Sequence, residues 1–220
     1  MNILASFSID LIVNSRKVFS MHKKVKLISV IITAVCLAGI VFLSIRLFKT
    51  ELPVLGDREH QLESFQFLNQ DSVVITEKDR EGKVAVIEFF FSTCPGICPI
   101  MNKNLQPVYE TFKDRKDFII LSHTVNPAYD SVAVLKAYSE KIGAYTPVWQ
   151  LLTGDKKAIY DAARYDYMMN VVDPATDIED DFIHTEQVAL IDQQGKIRGY
   201  FDATDEESMK LLIRSIKSLL

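Results

Sequence analysis

The sequence predicts an α/β sandwich on a central mixed sheet, preceded by a single N-terminal transmembrane helix. Three observations carry this expectation. Short, dense apolar runs alternate with stretches whose apolar residues recur at helical spacing, the pattern of strands covered by crossover helices. Two strand-like runs near the C-terminus are joined by turn residues, which adds an antiparallel pair. Finally, the nineteen residues 27–45 (LISVIITAVCLAGIVFLSI) carry no charge.

With 220 residues, 48% of them hydrophobic, the chain can fill the core of one ordinary domain and has residues to spare. A net charge of -4 from 25 basic and 29 acidic residues gives no concentrated positive face, so nucleic acid is not expected as a partner. At about 1.5 Å per residue, the run 27–45 nearly matches a hydrocarbon core of roughly 30 Å. Arg16, Lys17, Lys23, Lys24 and Lys26 precede it, and only Arg46 and Lys49 follow closely. The positive-inside bias then keeps the N-terminus cytoplasmic and exports the rest, giving a single-pass protein of the cell membrane with its domain on the periplasmic side if bacterial. A cleavable signal would need a shorter apolar run and a small-residue cleavage site, which RLFKTELP does not offer. Cys36 precedes LAG and does not follow such a triplet, so it is no lipoprotein acceptor and takes no role. The expected organisation is a cytoplasmic segment 1–26, a transmembrane anchor 27–48, a linker 49–62 rich in charge with one Pro and one Gly, and a folded domain 63–220.

Within the domain, residues 65–67 and 73–76 read as short strands, and 83–91 (KVAVIEFFF) as a strand buried on both faces. Met101, Leu105, Val108, Tyr109 and Phe112 then share one helical stripe. Residues 117–125 (DFIILSHTV) form a second buried strand. Asp130 is placed to cap a helix carrying Val134, Leu135, Tyr138 and Ile142 on one face, with Gly143 to end it. A strand over 148–152 and a short helix from 155 to about 164 follow. Residues 187–191 and 196–201 flank DQQG as a hairpin. Thr204 and Glu207 have capping-box spacing before a helix with Met209, Leu212, Ile213, Ile216 and Leu220 on one face. Right-handed crossovers place these helices on a mixed sheet in a thioredoxin-like order.

The segment FFFSTCPGICPIM puts Cys94 and Cys98 four residues apart where a buried strand gives way to a helix. Positions i and i+4 lie on one helical face, close enough for a disulfide or a shared metal. A helix N-terminus lowers a thiol pKa and supplies the thiolate that metal binding and disulfide exchange both need. Pro95 and Pro99 could each occupy an early helical position. Spacing alone leaves a stabilising bridge, a redox couple and half of a metal site open.

Together with FIHTEQVALIDQQGKIRGYFD, NPAYDSVAVLKAYSEKIG and WQLLTGD, this segment resembles the Sco/SenC family of copper-binding, thioredoxin-fold proteins over about residues 65 to 201. The resemblance implies a metal site of Cys94, Cys98 and His184, the histidine eight residues before Asp192. It also implies a copper chaperone that delivers copper to cytochrome c oxidase, or matures its copper site, with the copper-bearing subunit as partner. An anchor would hold such a domain beside a membrane-embedded recipient and raise its effective concentration. Where the family commonly has an acidic residue in its DPxxD segment, this chain has Asn126, keeping Pro127 and Asp130. Two thiolates and one imidazole make a soft donor set suited to Cu(I), and able to hold Cu(II); zinc normally takes a fourth ligand, which is not evident. The alternative is a thiol-disulfide oxidoreductase that reduces the recipient's cysteines, with Cys94 and Cys98 as the catalytic pair and no metal. Such reductases typically use CxxC and face it with a loop proline, whereas IHTEQV has none.

Other residues carry blander readings. His123 fits a satisfied, half-buried strand histidine. His22 and His60 stand away from the motif. Met168 and Met169 fit core packing, and Trp149 packs in the domain. Asp173, Asp177, Glu179, Asp180 and Asp181 read as a solvated loop, without the alternation or glycine of a calcium site.

Overall fold

The structure, a computed structural model, describes residues 26, 29–40, 52–56, 64–169 and 185–220. It divides into two units, Met1–Glu51 and Leu52–Leu220. In the first, residues 29–40 form a helix with Val30, Ile31, Ile32, Val35, Leu37 and Ile40 exposed. The described stretch 29–40 rises about 18 Å, short of the roughly 30 Å apolar thickness of a bilayer. Among the described residues no helix is long and apolar enough to cross a membrane. The expected transmembrane anchor is therefore corrected, and with it the single-pass placement, the cytoplasmic N-terminus, the exported domain and the membrane as a partner. Residue 26 is helical as well, and residues 27–28 and 41–48 of the expected span lie outside the described residues. Cys36 is exposed and free.

The second unit carries β1 (Gln66–Asn69), β2 (Val74–Thr76), α1 (Glu77–Arg80), β3 (Val84–Phe90), α2 (Ile97–Phe112), β4 (Phe118–Thr124) and α3 (Val132–Ile142). These are followed by β5 (Trp149–Thr153), α4 (Lys156–Asp161), a π-helical turn (Ala162–Asp166), β6 (Gln187–Ile191), β7 (Ile197–Asp202) and α5 (Glu206–Leu219). The strands form one sheet in the order β2-β1-β5-β4-β3-β6-β7. β3, β4 and β5 pair in parallel at its centre and the other pairs are antiparallel. The expected mixed-sheet sandwich is what forms. Because β3, β4 and β5 succeed one another in one direction across the sheet, right-handed crossovers put α2 and α3 on the same face.

Both faces of the sheet are covered, which is why every residue of β3 and β4 is buried. On one face Val86, Phe90 and Ile120 pack with Met101 and Leu105 of α2, Leu135 of α3, and Leu212 and Ile216 of α5. On the other, Ile87, Phe89, Ile119 and Leu121 pack with Ile159, Tyr160 and Tyr167. Met169 is buried there and Met168 packs beside it, the core role expected of that pair. Gly143 ends α3 at φ 69°, the left-handed conformation in which glycine has no Cβ to clash.

Two expected caps differ. Ser131, not Asp130, caps α3 and accepts from the Val134 N–H. Asp205 caps α5, accepting from the Glu207 and Ser208 N–H groups, while Thr204 donates to Asp202. In both cases a neighbouring polar side chain takes the cap because the expected one has a better partner elsewhere.

Candidate functional site

Strand β3 delivers the chain to the site and α2 carries it away. Between them, residues 91–96 form a loop whose shape is set from below by Asp130, which is fully buried. Its carboxylate accepts from the Ser92 N–H at 3.1 Å, from the Ser92 hydroxyl and from the Thr124 hydroxyl. Thr124 Oγ1 in turn accepts from the Asn126 N–H at 3.0 Å. Asp130 thus ties the end of β3 to the end of β4. The Cys94 N–H donates to the Phe91 carbonyl at 3.1 Å, which turns the chain sharply into the helix.

Helix α2 begins after Gly96, which offers no side-chain cap. Its first N–H groups are therefore unclaimed by a cap and stand available to a nearby anion. Burial pushes the Cys94 thiol up, but the backbone N–H and the thiol of Cys98, with the N–H groups of Gly96 and Ile97, outweigh it and hold Cys94 below the ordinary thiol range. Cys98, four residues on and inside the first turn of α2, is 3% exposed. Burial pushes it up to about 12; the backbone of Phe91 opposes this, and the charges of Cys94 and Glu88 add to it. The outer sulfur is thus the more acidic of the two and the inner one holds its proton.

Beneath Cys98 lies a buried polar cluster. Asn102 Nδ2 donates to the Cys98 carbonyl at 2.9 Å and to Tyr138 Oη at 3.0 Å. The Ser122 hydroxyl donates to Glu88 Oε2 at 2.5 Å and accepts from Trp149 Nε1 at 2.9 Å. Glu88 is fully buried and its Oε1 has no partner among the described residues. Burial pushes its carboxyl up to about 7, against the Ser122 hydrogen bond. Burial also raises the Tyr138 hydroxyl, with the charges of Glu88 and both cysteines adding to the effect.

Sequence reasoning missed Glu88, although a lone carboxylate inside KVAVIEFFF was the available signal, since acids are almost never fully buried without a reason. It missed Asp130 as a loop anchor because its partners are far away in the chain. His123 is not the satisfied half-buried histidine expected. It is fully buried on the opposite face of the sheet, edge-on to Phe67 and stacked on Phe89. Neither ring nitrogen makes a hydrogen bond of ordinary geometry among the described residues. Burial pushes it down to about 4, opposed in part by the backbone of Glu88 and Leu121.

The structure brings Cys94 and Cys98 together. His184, His22, His60 and the acidic stretch 173–181 lie outside the described residues. Among the described residues no group of three or more His, Cys, Asp or Glu side chains is placed to hold a metal, and the cysteines are free. The membrane-anchored chaperone is corrected along with its anchor; of the three residues expected to bind copper, the described residues carry Cys94 and Cys98, as free thiols and not as a disulfide, while His184 lies outside them. Those two are soft thiol donors at a helix N-terminus, a set whose chemistry suits Cu(I).

Residues 55–220 match the SCO1/SenC family model. Among solved structures, a SCO1/SenC family lipoprotein from Bacillus anthracis is 31% identical, with TM-score 0.64, over 76% of this chain and 99% of that one. BsSco, described with a disulfide switch as a member of the Sco family of cytochrome c oxidase assembly proteins, is 25% identical, with TM-score 0.62, over 75% and 96%. Bradyrhizobium japonicum ScoI, solved with copper bound, is 25% identical, with TM-score 0.57, over 73% and 99%. With the family model covering the whole folded unit around its paired cysteines, the chain belongs to the SCO1/SenC family.

Proposed function

We propose that this chain handles copper at Cys94 and Cys98 in the assembly of cytochrome c oxidase. The observation that carries the reading is the pair of free thiols where β3 gives way to α2, a half-buried Cys94 in the loop and a buried Cys98 in the first turn of the helix. Two adjacent sulfurs suit a soft monovalent cargo. The outer, more acidic Cys94 meets the cargo first, and the buried Cys98 joins by giving up its proton; returning that proton favours release. His184 is the third donor. The copper bound to ScoI and the assembly role of BsSco support this reading by likeness.

The same pair of thiols favours a second reading, thiol-disulfide exchange. The Cys94 thiolate attacks a partner disulfide, forming a mixed disulfide and releasing one partner thiolate. Cys98 then loses its proton and attacks Cys94, releasing the second partner thiolate; the partner is reduced by two electrons and a Cys94–Cys98 disulfide forms.

Titration of the full chain with Cu(I) and Cu(II), as wild type, Cys94→Ser, Cys98→Ser and His184→Ala, tests both. Copper binding by wild type no stronger than by Cys94→Ser would sink the copper reading. Undiminished affinity in His184→Ala removes the histidine and keeps the sulfurs. Reduction of a test disulfide by the metal-free chain supports the exchange reading.

A further inference from the structure

A groove of about 220 Å³ opens directly beside Cys94, between α2 and α3. Its apolar surface comes from Pro99, Tyr138 and Ile142, and each wall contributes one cation, Lys103 from α2 and Lys141 from α3. No acidic residue lines it. Both lysines are exposed, and neither forms an ion pair among the described residues, unlike Lys113, Lys136, Lys157 and Lys210. Along α2 the groove runs from Pro99 to Gln106, about 10 Å of helix, which matches about three residues of extended chain.

We infer that this groove is a docking site for a short, extended, acidic segment of the partner protein, whose donor or acceptor sulfur is thereby delivered to Cys94. The inference rests on Cys94 being the point of exchange, as proposed above. Charge complementarity selects the occupant. In a chain of net charge -4, two cations lining one groove, neither in an ion pair among the described residues, attract carboxylates and repel a basic segment. Continuity with Cys94 makes the groove part of the exchange surface. The lysines set partner choice and approach, while the sulfurs do the chemistry.

The test is an NMR titration of the full chain with the peptides Ser-Gly-Asp-Asp-Asp and Ser-Gly-Lys-Lys-Lys, in which serine stands for cysteine so that docking is read without thiol or copper chemistry. The acidic peptide is expected to shift the amides of residues 99–106 and 138–142 and to bind about ten-fold more tightly than the basic one at low salt. That preference should collapse near 0.5 M salt and in the double variant Lys103→Gln/Lys141→Gln, but persist in Cys94→Ser. Equal binding of the two peptides, shifts located elsewhere, or a preference that survives the double lysine variant would overturn the inference. These outcomes are independent of the copper titration, so failure of either reading is seen separately.

Discussion

Glu88 and His123 lie on opposite faces of the same sheet and are both fully buried, and their ionisation pulls stability in opposite directions. Glu88 has a folded pKa of about 7 against an ordinary 4.5. Below pH 4.5 it is neutral in both states; above that the unfolded chain loses its proton first, so stability falls until pH 7. His123 has a folded pKa of about 4 against an ordinary 6.5. Its contribution is full above pH 6.5 and is lost as the pH falls to 4, because only the unfolded chain accepts the proton. At 1.36 kcal/mol per pH unit, each gap corresponds to about 3 kcal/mol. Between roughly pH 4.5 and 6.5 the two slopes cancel, and the wild type is expected to be nearly flat. Glu88→Gln keeps an acceptor for Ser122 and removes the falling limb, so stability should climb by about 3 kcal/mol from pH 4 to 6.5. His123→Leu removes the rising limb, leaving a fall of about 3 kcal/mol from pH 4.5 to 7. Urea unfolding followed by the fluorescence of Trp149, the only tryptophan, reads both slopes. A Glu88→Gln variant that stays as flat as wild type would refute the reasoning.

Iodoacetamide should alkylate Cys94 before Cys98 in the folded, metal-free chain, and Glu88→Gln should quicken Cys98 by removing the charge that raises it; peptide mapping over time reads the order. Asp130→Ala strands the Ser92 N–H and the Ser92 and Thr124 hydroxyls, and should cost about 3–5 kcal/mol in urea unfolding while speeding backbone exchange in residues 91–96. Gly143→Ala forces a left-handed residue to carry a Cβ 3.1 Å from Gln106 Nε2, and should lower stability by about 1–2 kcal/mol.

The fold was legible wherever local pattern and tertiary environment agree. KVAVIEFFF and DFIILSHTV read as buried strands because helices cover both sheet faces, and the α2 stripe read correctly because Met101, Leu105 and Val108 meet that sheet. What escaped was decided by distant partners. Asp130 has the composition of a cap, yet its partners Ser92 and Thr124 outbid the helix end one residue away. Helix α1 is four residues long, too short to show a period. The cysteine pair was found from its spacing, but the difference in acidity between the two sulfurs depends on Glu88 and on burial, which no spacing encodes. The uncharged N-terminal run shows the converse: hydropathy reports what a segment would tolerate, and the described helix over 29–40 falls short of a crossing.

Asp130 has one further consequence. By fastening residue 92 to the start of the next crossover, 38 positions away, it freezes the cysteine loop while the domain folds. The conformational entropy of ordering that loop is then spent once, during biogenesis, and is not charged again at each encounter. A loop so prepared presents its two cysteines in one geometry before any partner arrives.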